Sequence, residues 1–138
     1  MAQNENLAAI ENAVAQMNSG NLEGYLEMYE DDLTLHGYPP EIQGKEGVTA
    51  FYTAFAKALP DVELTIEDAV SDGDKVALRF RVRGTHSDEL MGVPATGNKV
   101  DVEGQSFFRF ENGRVVERWQ SLDAVTLLTQ LGALPAPA

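Results

Sequence analysis

The N-terminal part of the chain carries its apolar residues at helical spacing. They recur three or four positions apart up to Gly20, which predicts an amphipathic helix, and a shorter stripe of the same kind follows. Residues Leu33–His36 predict a short strand, and a third helix is predicted from about Lys45 until Pro60 stops it. The three stripes are Leu7, Ile10, Val14 and Met17; Leu22, Tyr25, Leu26 and Tyr29; and Val48, Phe51, Tyr52, Phe55 and Leu59.

After Pro60 the pattern changes to alternation, which predicts a pair of antiparallel strands. A three-residue loop at 72–74 gives a register in which apolar residues meet on one face and opposite charges meet on the other. Because both faces agree on one register, we predict it for the whole pair. The predicted pairs are Val70 with Val76, Ile66 with Phe80, Leu64 with Val82, Glu67 with Arg79 and Glu63 with Arg83.

The Asn112-Gly113 pair predicts a second hairpin between two alternating runs. A loop over 86–98 precedes it, and a final helix over Leu122–Leu131 follows it. Uninterrupted alternation from the turn places Trp119, Ser121 and Asp123 on one inner wall. The predicted pairs are Phe110 with Val115, Phe108 with Glu117, Ser106 with Trp119 and Gly104 with Ser121.

Helices followed by antiparallel strands predict an α+β domain with its helices on one face of a curved sheet. The chain has 138 residues, 43% of them hydrophobic, which suffices for one domain with a core. A net charge of −12 disfavours binding to nucleic acid or to anionic membranes. The absence of cysteine excludes thiolate catalysis and cysteine metal sites. No signal peptide or membrane-spanning run is recognisable, so we expect a cytoplasmic protein.

Four segments carry a resemblance to a known family: 29–37 (YEDDLTLHG), 84–100 (GTHSDELMGVPATGNKV), 112–123 (NGRVVERWQSLD) and 127–132 (LLTQLG). With the order of elements, they resemble the SnoaL-like polyketide or ester cyclases of the nuclear-transport-factor-two-like superfamily. The resemblance implies a cone-shaped α+β barrel over 1–133, in which a curved antiparallel sheet wraps around N-terminal helices and encloses a cavity. Residues 134–138 are expected to form a frayed tail.

The same resemblance implies a cofactor-free enzyme that closes a carbon ring by intramolecular aldol condensation, or performs related lyase or isomerase chemistry, with a cavity aspartate as acid/base. It also implies a homodimer that forms through the outer face of the sheet. Asp123 fits the aspartate, although an aspartate before an apolar helix is equally typical of a helix N-cap. His86 and His36 are further catalytic candidates, as donors to a substrate carbonyl. A single histidine near a strand end is, however, more often a satisfied polar side chain.

The predicted cavity wall is largely apolar and suits a small hydrophobic carbonyl compound. With only two histidines and no ligand-spaced carboxylates, we expect no metal site. The resemblance implies that no cofactor is needed. The arginines at 79, 81 and 83 are interpreted as a cross-strand charge ladder rather than an anion site. The side chains expected to contact the substrate are Trp119, Phe108, Phe80, Tyr52, Ser121 and Met91.

Two other function classes stay open. A non-catalytic small-molecule-binding protein of the same fold would have its Asp123 carboxylate spent on the helix cap, with no second polar group nearby. A protein-interaction module would expose an apolar patch around Met91-Gly92-Val93, although this loop could equally be a lid over the cavity. A free Asp123 within reach of His86 or His36 would favour the enzyme.

Overall fold

The computed structural model describes residues 2–135, with side chains from residue 5 onward, and its elements follow the predicted order. Of the tail expected at 134–138, residues 136–138 lie outside the described range. The helices are α1 (Ala2–Asn18), α2 (Leu22–Leu26), α3 (Gly44–Ala58) and α4 (Ala124–Gln130). The strands are β1 (Tyr29–His36), β2 (Glu63–Asp72), β3 (Lys75–Thr85), β4 (Lys99–Glu111) and β5 (Arg114–Leu122).

The strands form one curved sheet in the order β1-β5-β4-β3-β2. Helix α1 packs against β2 and β3, α3 packs against β1, and α4 packs against β4, so the core lies between these helices and the sheet. The predicted α+β class, with N-terminal helices inside a curved sheet, is therefore confirmed. Two details differ from the expected antiparallel barrel. The sheet stays open between its edge strands β1 and β2, and β1 runs parallel to β5.

A bulge interrupts the first hairpin. Ile66 pairs with Phe80 as predicted. The predicted pairs that lie farther from the turn, Leu64 with Val82 and Glu63 with Arg83, are also confirmed. Nearer the turn the register shifts at Glu67, and the loop has two residues, Gly73 and Asp74, instead of three. The predicted pairing of Val70 with Val76 and of Glu67 with Arg79 is wrong for this reason. The observed partners there are Ala77 for Val70, Ser71 for Val76 and Asp68 for Arg79.

A second bulge has larger consequences, because it turns most of β5 around. Phe110 pairs with Val115 as predicted, but Arg109 pairs with Glu117, so Val116 is an extra residue. One extra residue moves every later side chain to the opposite face of the strand. The predicted pairs beyond Val115 are therefore wrong, and the observed pairs are Phe108 with Arg118, Phe107 with Trp119, Ser106 with Gln120, Gln105 with Ser121 and Gly104 with Leu122.

The outer face of the sheet carries the predicted charge ladder, with Arg81 at its centre. Its guanidinium donates to Glu67 Oε1 at 2.8 Å, to Asp101 Oδ1 at 2.6 Å and to Glu103 Oε1 at 2.9 Å. Arg83 adds weaker ion pairs of 3.5 Å to Asp101 and 3.9 Å to Glu63. We call this set of side chains the outer ladder.

In the part of the chain that the structure describes, no helix is both long and apolar enough to cross a membrane.

Candidate active site

A deep cavity lies between the inner face of the sheet and helices α1 and α3. It has a volume of about 110 Å³ and opens to solvent at its mouth. Four of the six side chains expected to contact a substrate lie on its wall: Tyr52, Phe80, Phe108 and Met91. Most of the remaining wall is apolar, with contributions from Ile10, Val14, Phe51, Phe55, Val100 and Leu127.

One polar cluster interrupts this apolar wall, and a buried arginine lies at its centre. Arg118 is only 5% exposed. Its Nη1 donates to the hydroxyls of Tyr25 at 3.1 Å, Tyr29 at 2.6 Å and Tyr52 at 2.9 Å. Its Nε and Nη2 both reach Ser106 Oγ, at 3.3 and 3.0 Å. We call these five side chains the arginine–tyrosine cluster.

The cluster continues toward Gln120 through a second pair of hydroxyls. Tyr52 and Tyr38 hydroxyl oxygens are 2.7 Å apart, and the Tyr38 hydroxyl donates to Gln120 Oε1 at 3.1 Å. Gly37 makes this approach of β1 to β5 feasible, because a Cβ at this position would overlap the carbonyl oxygen of Gln120. Its φ of +84° also favours glycine.

No carboxylate contacts Arg118 within the described range, so its charge is shared only with neutral oxygens. The face of the Phe108 ring lies 4.6 Å from the guanidinium carbon, which stabilises the cation further. Burial by itself lowers the pKa of Arg118, but interaction with the tyrosine oxygens, Tyr29 first, holds the pKa well above its usual value. The cluster therefore keeps one full positive charge at neutral pH.

Three tyrosines at this site, Tyr25, Tyr29 and Tyr38, are neutral hydrogen-bonding groups at the same pH. Burial is the largest influence on Tyr25, Tyr29 and Tyr38, and it raises the pKa of each hydroxyl above 10. Arg118 opposes this shift in all three but does not cancel it. None of these hydroxyls is an anion that could balance the arginine.

The structure corrects the expected position of Asp123. Its side chain is exposed and caps α4, accepting from the Thr126 amide at 3.1 Å and from the Thr126 hydroxyl at 2.6 Å. These two hydrogen bonds, the hydroxyl one first, lower the pKa of the carboxyl. Asp123 does not line the cavity, because the bulge at Val116 moves it away from the inner wall.

The same bulge explains why two predicted wall residues lie elsewhere, and one histidine lies beside them. Trp119 and Ser121 are on the outer face, opposite Phe107 and Gln105. The His36 ring stacks on Trp119 with centroids 4.9 Å apart, and its Nε2 lies 2.7 Å from Glu117 Oε2. The expectation that Trp119, Ser121 and His36 share the cavity with a catalytic group is therefore not met.

His86 is fully buried, but it holds a loop rather than facing the cavity. Its Nε2 lies 3.1 Å from the Val93 carbonyl oxygen, and its Nδ1 lies 2.8 Å from Thr96 Oγ1. The Val93 carbonyl can only accept, so Nε2 donates and Nδ1 is left to accept from Thr96. The held loop presents Leu90 and Met91 to the cavity, with Met91 53% exposed. His86 is thus a satisfied polar side chain that positions one part of the cavity wall.

Sequence reasoning missed the arginine–tyrosine cluster as a functional site. Regular alternation assigns Arg118 and Gln120 to the outer face, so neither was a candidate. The available signal is the doublet Val115-Val116, since two consecutive valines cannot both face one core in a regular strand. That signal indicates an irregularity without saying where the strand regains its period.

Between residues 2 and 135 there is no group of three or more histidine and acidic side chains that could hold a metal ion. The side chains that face the cavity are hydrogen-bond donors and apolar groups. Their arrangement suits an organic ligand with a carbonyl or ionised oxygen at the cluster and an apolar body along the wall.

Comparison with known proteins gives a consistent family. The model of the SnoaL-like polyketide cyclase family matches residues 8–131 of the chain. The search of curated proteins gives no significant match. Among solved structures, IdmH from Streptomyces antibioticus, a proposed polyketide cyclase, is 36% identical, with 92% of this chain and 98% of that chain covered at a TM-score of 0.77.

Two further structures cover almost the whole chain. AclR from Streptomyces galilaeus, a proposed hydroxylase, is 31% identical, with 99% of this chain and 86% of that chain covered at a TM-score of 0.87. TsrD from Streptomyces laurentii is 27% identical, with 96% and 98% covered at a TM-score of 0.86. The names of these relatives cover more than one chemistry, so the fold alone does not select the reaction.

Proposed function

The chain belongs to the SnoaL-like polyketide cyclase family, and on that premise we propose that it is a cyclase-type enzyme acting on a small hydrophobic carbonyl compound. The observation that carries the proposal is the arginine–tyrosine cluster in the wall of an otherwise apolar cavity. An apolar wall holds the carbon skeleton, and the cluster supplies hydrogen-bond donors where a carbonyl oxygen can accept.

The proposed reaction is an intramolecular aldol closure. One carbonyl oxygen of the substrate lies at Arg118 and Tyr25, and its α-carbon loses a proton to solvent water. Arg118 stabilises the negative charge that develops on the enolate oxygen. The enolate carbon then forms the ring bond to a second carbonyl carbon, whose oxygen takes up a proton. The closure is redox-neutral, so the substrate itself requires neither an oxidant nor a reductant.

This assignment differs from the acid/base role expected for Asp123. An exposed, capped carboxylate whose pKa is lowered is a poor base, and it lies away from the wall. We propose instead that the reaction depends on the acidity of the α-proton of the substrate. The arginine–tyrosine cluster increases this acidity because it stabilises the enolate. Substrates with acidic α-protons, such as compounds with two carbonyls flanking one carbon, suit a site of this kind.

The test uses a phenyl-substituted open-chain compound, called the diketone below. Two of its carbonyls flank one carbon, and that carbon is spaced to close a six-membered ring on a third carbonyl. The cyclic β-hydroxyketone formed by closure then loses water to give the conjugated enone, whose formation is followed by ultraviolet absorbance and confirmed by mass spectrometry. We expect Arg118→Met to slow closure about 10²-fold, the usual cost of removing one oxyanion donor. Arg79→Met, which removes a charge from the outer face, is the matched control and should leave the rate unchanged.

A second candidate function is a non-catalytic small-molecule binder. The observation that favours it is the lack of a carboxylate on the cavity wall in the described residues, together with an Asp123 spent on its cap. Saturable binding of the diketone without any acceleration of closure, across a series of more acidic analogues, would select the binder. Closure that depends on Arg118 would select the enzyme.

The homodimer implied by the family resemblance stays a proposal. Its support is a row of side chains across the outer face, Val70, Ala77, Phe107 and Trp119, which are neighbours on adjacent strands. Val70 is 66% and Phe107 55% exposed, which is unusual for large apolar residues. Light scattering should give a dimer mass for the wild type and a monomer mass for Phe107→Glu, and a monomeric wild type would contradict the proposal.

A further inference from the structure

Arg118 is a buried charge without a counter-ion. Among the described residues that line the cavity, it is the only charged side chain, and its hydrogen-bond partners are the four neutral hydroxyls of Tyr25, Tyr29, Tyr52 and Ser106. A charge removed from water is costly unless an opposite charge compensates it. The fold therefore maintains a cationic site at which the protein supplies no anion.

One N–H donor of Arg118 also lacks an acceptor of its own among the described side chains. A guanidinium has five N–H groups, and Nη2 contributes two of them. One of these two reaches Ser106 Oγ, which is already shared with Nε, and the other has no acceptor within residues 2–135. The hydroxyls of Tyr25 and Tyr29 share a single hydrogen bond of 2.9 Å, although they have two hydrogens between them. The second O–H of this pair can then donate either to Tyr52 or to a ligand.

The spare hydroxyl hydrogen is available on the side of the cavity. Tyr25 lines the cavity, whereas Tyr29 is completely buried and does not. When Tyr29 donates to Tyr25, the Tyr25 hydroxyl can donate to a ligand. Gln120 lines the cavity as well, and only its Oε1 is engaged in the described range, so its two amide N–H groups add further donors.

We infer that the cluster is an oxyanion site, which binds the ionised oxygen of an apolar, ring-sized ligand at Arg118 Nη2 and the Tyr25 hydroxyl. The ligand brings the missing counter-ion and the missing acceptor together. An enol or phenol of low pKa and an aromatic carboxylic acid are the two sources of such an oxygen. This inference deepens the proposed function, because the substrate then enters as its anion rather than as a neutral carbonyl compound.

The preference for an anion is a local effect that works against the charge of the whole protein. The net charge of −12 repels anions at long range, but salt screens that repulsion beyond about 10 Å. Within the cavity, an ionised oxygen in contact with Arg118 interacts with it at much lower effective dielectric constant than in water. Added salt should therefore help association with the mouth and leave the preference at the cluster in place.

The direct test is titration of para-nitrophenol, whose anion has its own visible absorbance, in the presence and absence of protein. We expect the pKa of the bound probe to fall by about one unit or more, which is a tenfold preference for the anion. Para-nitroanisole, which has the same shape but cannot ionise, measures binding to the apolar wall alone. Para-nitrobenzoate tests the carboxylate source in the same way, by competition.

Four variants separate the charge from the fold. Arg118→Met should remove the anion preference while para-nitroanisole binding is kept, and Arg118→Lys should restore part of it because the charge remains. Tyr25→Phe should reduce the preference several-fold by removing one donor. Arg79→Met, on the outer face, should retain the full wild-type shift. Melting curves show which variants are folded, and Arg118→Lys with Tyr25→Phe decides the matter if Arg118→Met does not fold.

The outcomes distinguish this inference from the proposed function. A lowered probe pKa that depends on Arg118, or an Arg118-dependent binding of para-nitrobenzoate, supports the oxyanion site even if no diketone is cyclised. An unshifted probe pKa with no binding of para-nitrobenzoate overturns the site, as does a shift that survives in Arg118→Met. Ring closure observed alongside an unshifted probe pKa and no Arg118-dependent binding of para-nitrobenzoate would keep the cyclase and reject the oxyanion site.

Discussion

The two faces of the sheet accommodate an arginine in opposite ways. On the outer face, Arg81 donates to three carboxylates within 3 Å and its side chain remains 25% exposed. On the inner face, Arg118 is buried and donates only to hydroxyl groups. The first charge is neutralised by its neighbours and by solvent, whereas the second has no compensating charge in the described part of the chain.

The difference supports the proposal that the outer region is structural and the inner region is the functional site. An exposed ion-pair ladder contributes little to stability and needs no ligand. A buried cation surrounded by spare donors is a cost to the folded state, and such costs are typical of sites where a ligand completes the arrangement. Variants that act on one face and leave the other intact can test this assignment.

The largest effect is expected at Gly37, which directly follows β1 and approaches Gln120 beside the arginine–tyrosine cluster. Gly37→Ala would overlap the Gln120 carbonyl oxygen and would place a Cβ at a φ of +84°. Strain and overpacking together should lower the free energy of unfolding by roughly 3–5 kcal/mol. Gly20→Ala is the matched control, because Gly20 has the same φ and open space around it. Urea denaturation that gives equal losses for the two variants would contradict the close approach.

A smaller loss is expected when one hydroxyl of the cluster is removed. Tyr29→Phe deletes the oxygen that lies 2.6 Å from Arg118 Nη1, which should cost about 2 kcal/mol because this hydrogen bond is charge-assisted. Tyr38→Phe deletes a hydroxyl that bonds only to neutral groups, Tyr52 and Gln120, and should cost about 1 kcal/mol. If denaturation curves show a larger loss of stability for Tyr38→Phe than for Tyr29→Phe, then Arg118 is not the centre of the cluster.

Part of the outer ladder and part of the inner wall could be predicted from the sequence. Helical stripes located Tyr52, and strand alternation located Phe80 and the pairing of Glu63 with Arg83. These features were predicted from local periodicity or from a register on which both faces of a hairpin agree. Both kinds of evidence remain valid where a strand is regular. The apolar loop that contains Met91 was also recognisable.

The centre of the candidate site could not be predicted in the same way. A single extra residue, Val116, reverses the faces of the strand beyond it, so Arg118 replaces Trp119 on the inner wall. Both valines of the doublet are apolar, and the hydrophobic pattern therefore does not say which of them is the extra one. Burial of Arg118 depends further on hydroxyls from α2, β1 and α3, which only the assembled fold brings together.

The two faces should also respond to pH at opposite ends of the scale. The pKa of Tyr29 is raised by burial, so its neutral form is favoured in the folded protein. This contribution is fully present below the unfolded value of about 10 and is lost as the pH rises above it. Unfolding measured between about pH 9 and 11 should show a steep loss of stability that Tyr29→Phe flattens. An unchanged slope in the variant would mean that other groups dominate the alkaline limb.

On the outer face the dependence has the opposite sign. The pKa of Asp101 is lowered, chiefly by its hydrogen bond from Arg81, so the folded state favours the carboxylate. That contribution is present above the unfolded value of about 4 and is lost as the pH falls below it. Asp101→Asn should reduce the acid dependence of the melting temperature, and 1 M salt should reduce it in the wild type as well. If neither change affects the fall of the melting temperature at low pH, the outer ladder is not the source of that fall.

The smallest effect is expected at Asp123, which the structure assigns to the cap of α4 and not to the cavity. Asparagine caps helices about as well as aspartate, so Asp123→Asn should keep the acceptor for the Thr126 amide. We expect an unchanged rate of diketone closure, an unchanged probe pKa in the titration with para-nitrophenol, and a melting temperature close to that of the wild type. Asp123→Ala, which removes the cap, should lower the melting temperature without changing the probe pKa. Loss of closure in Asp123→Asn with normal melting would instead give the acid/base role to the outer carboxylate, and the contrast between the two faces would no longer divide structure from function.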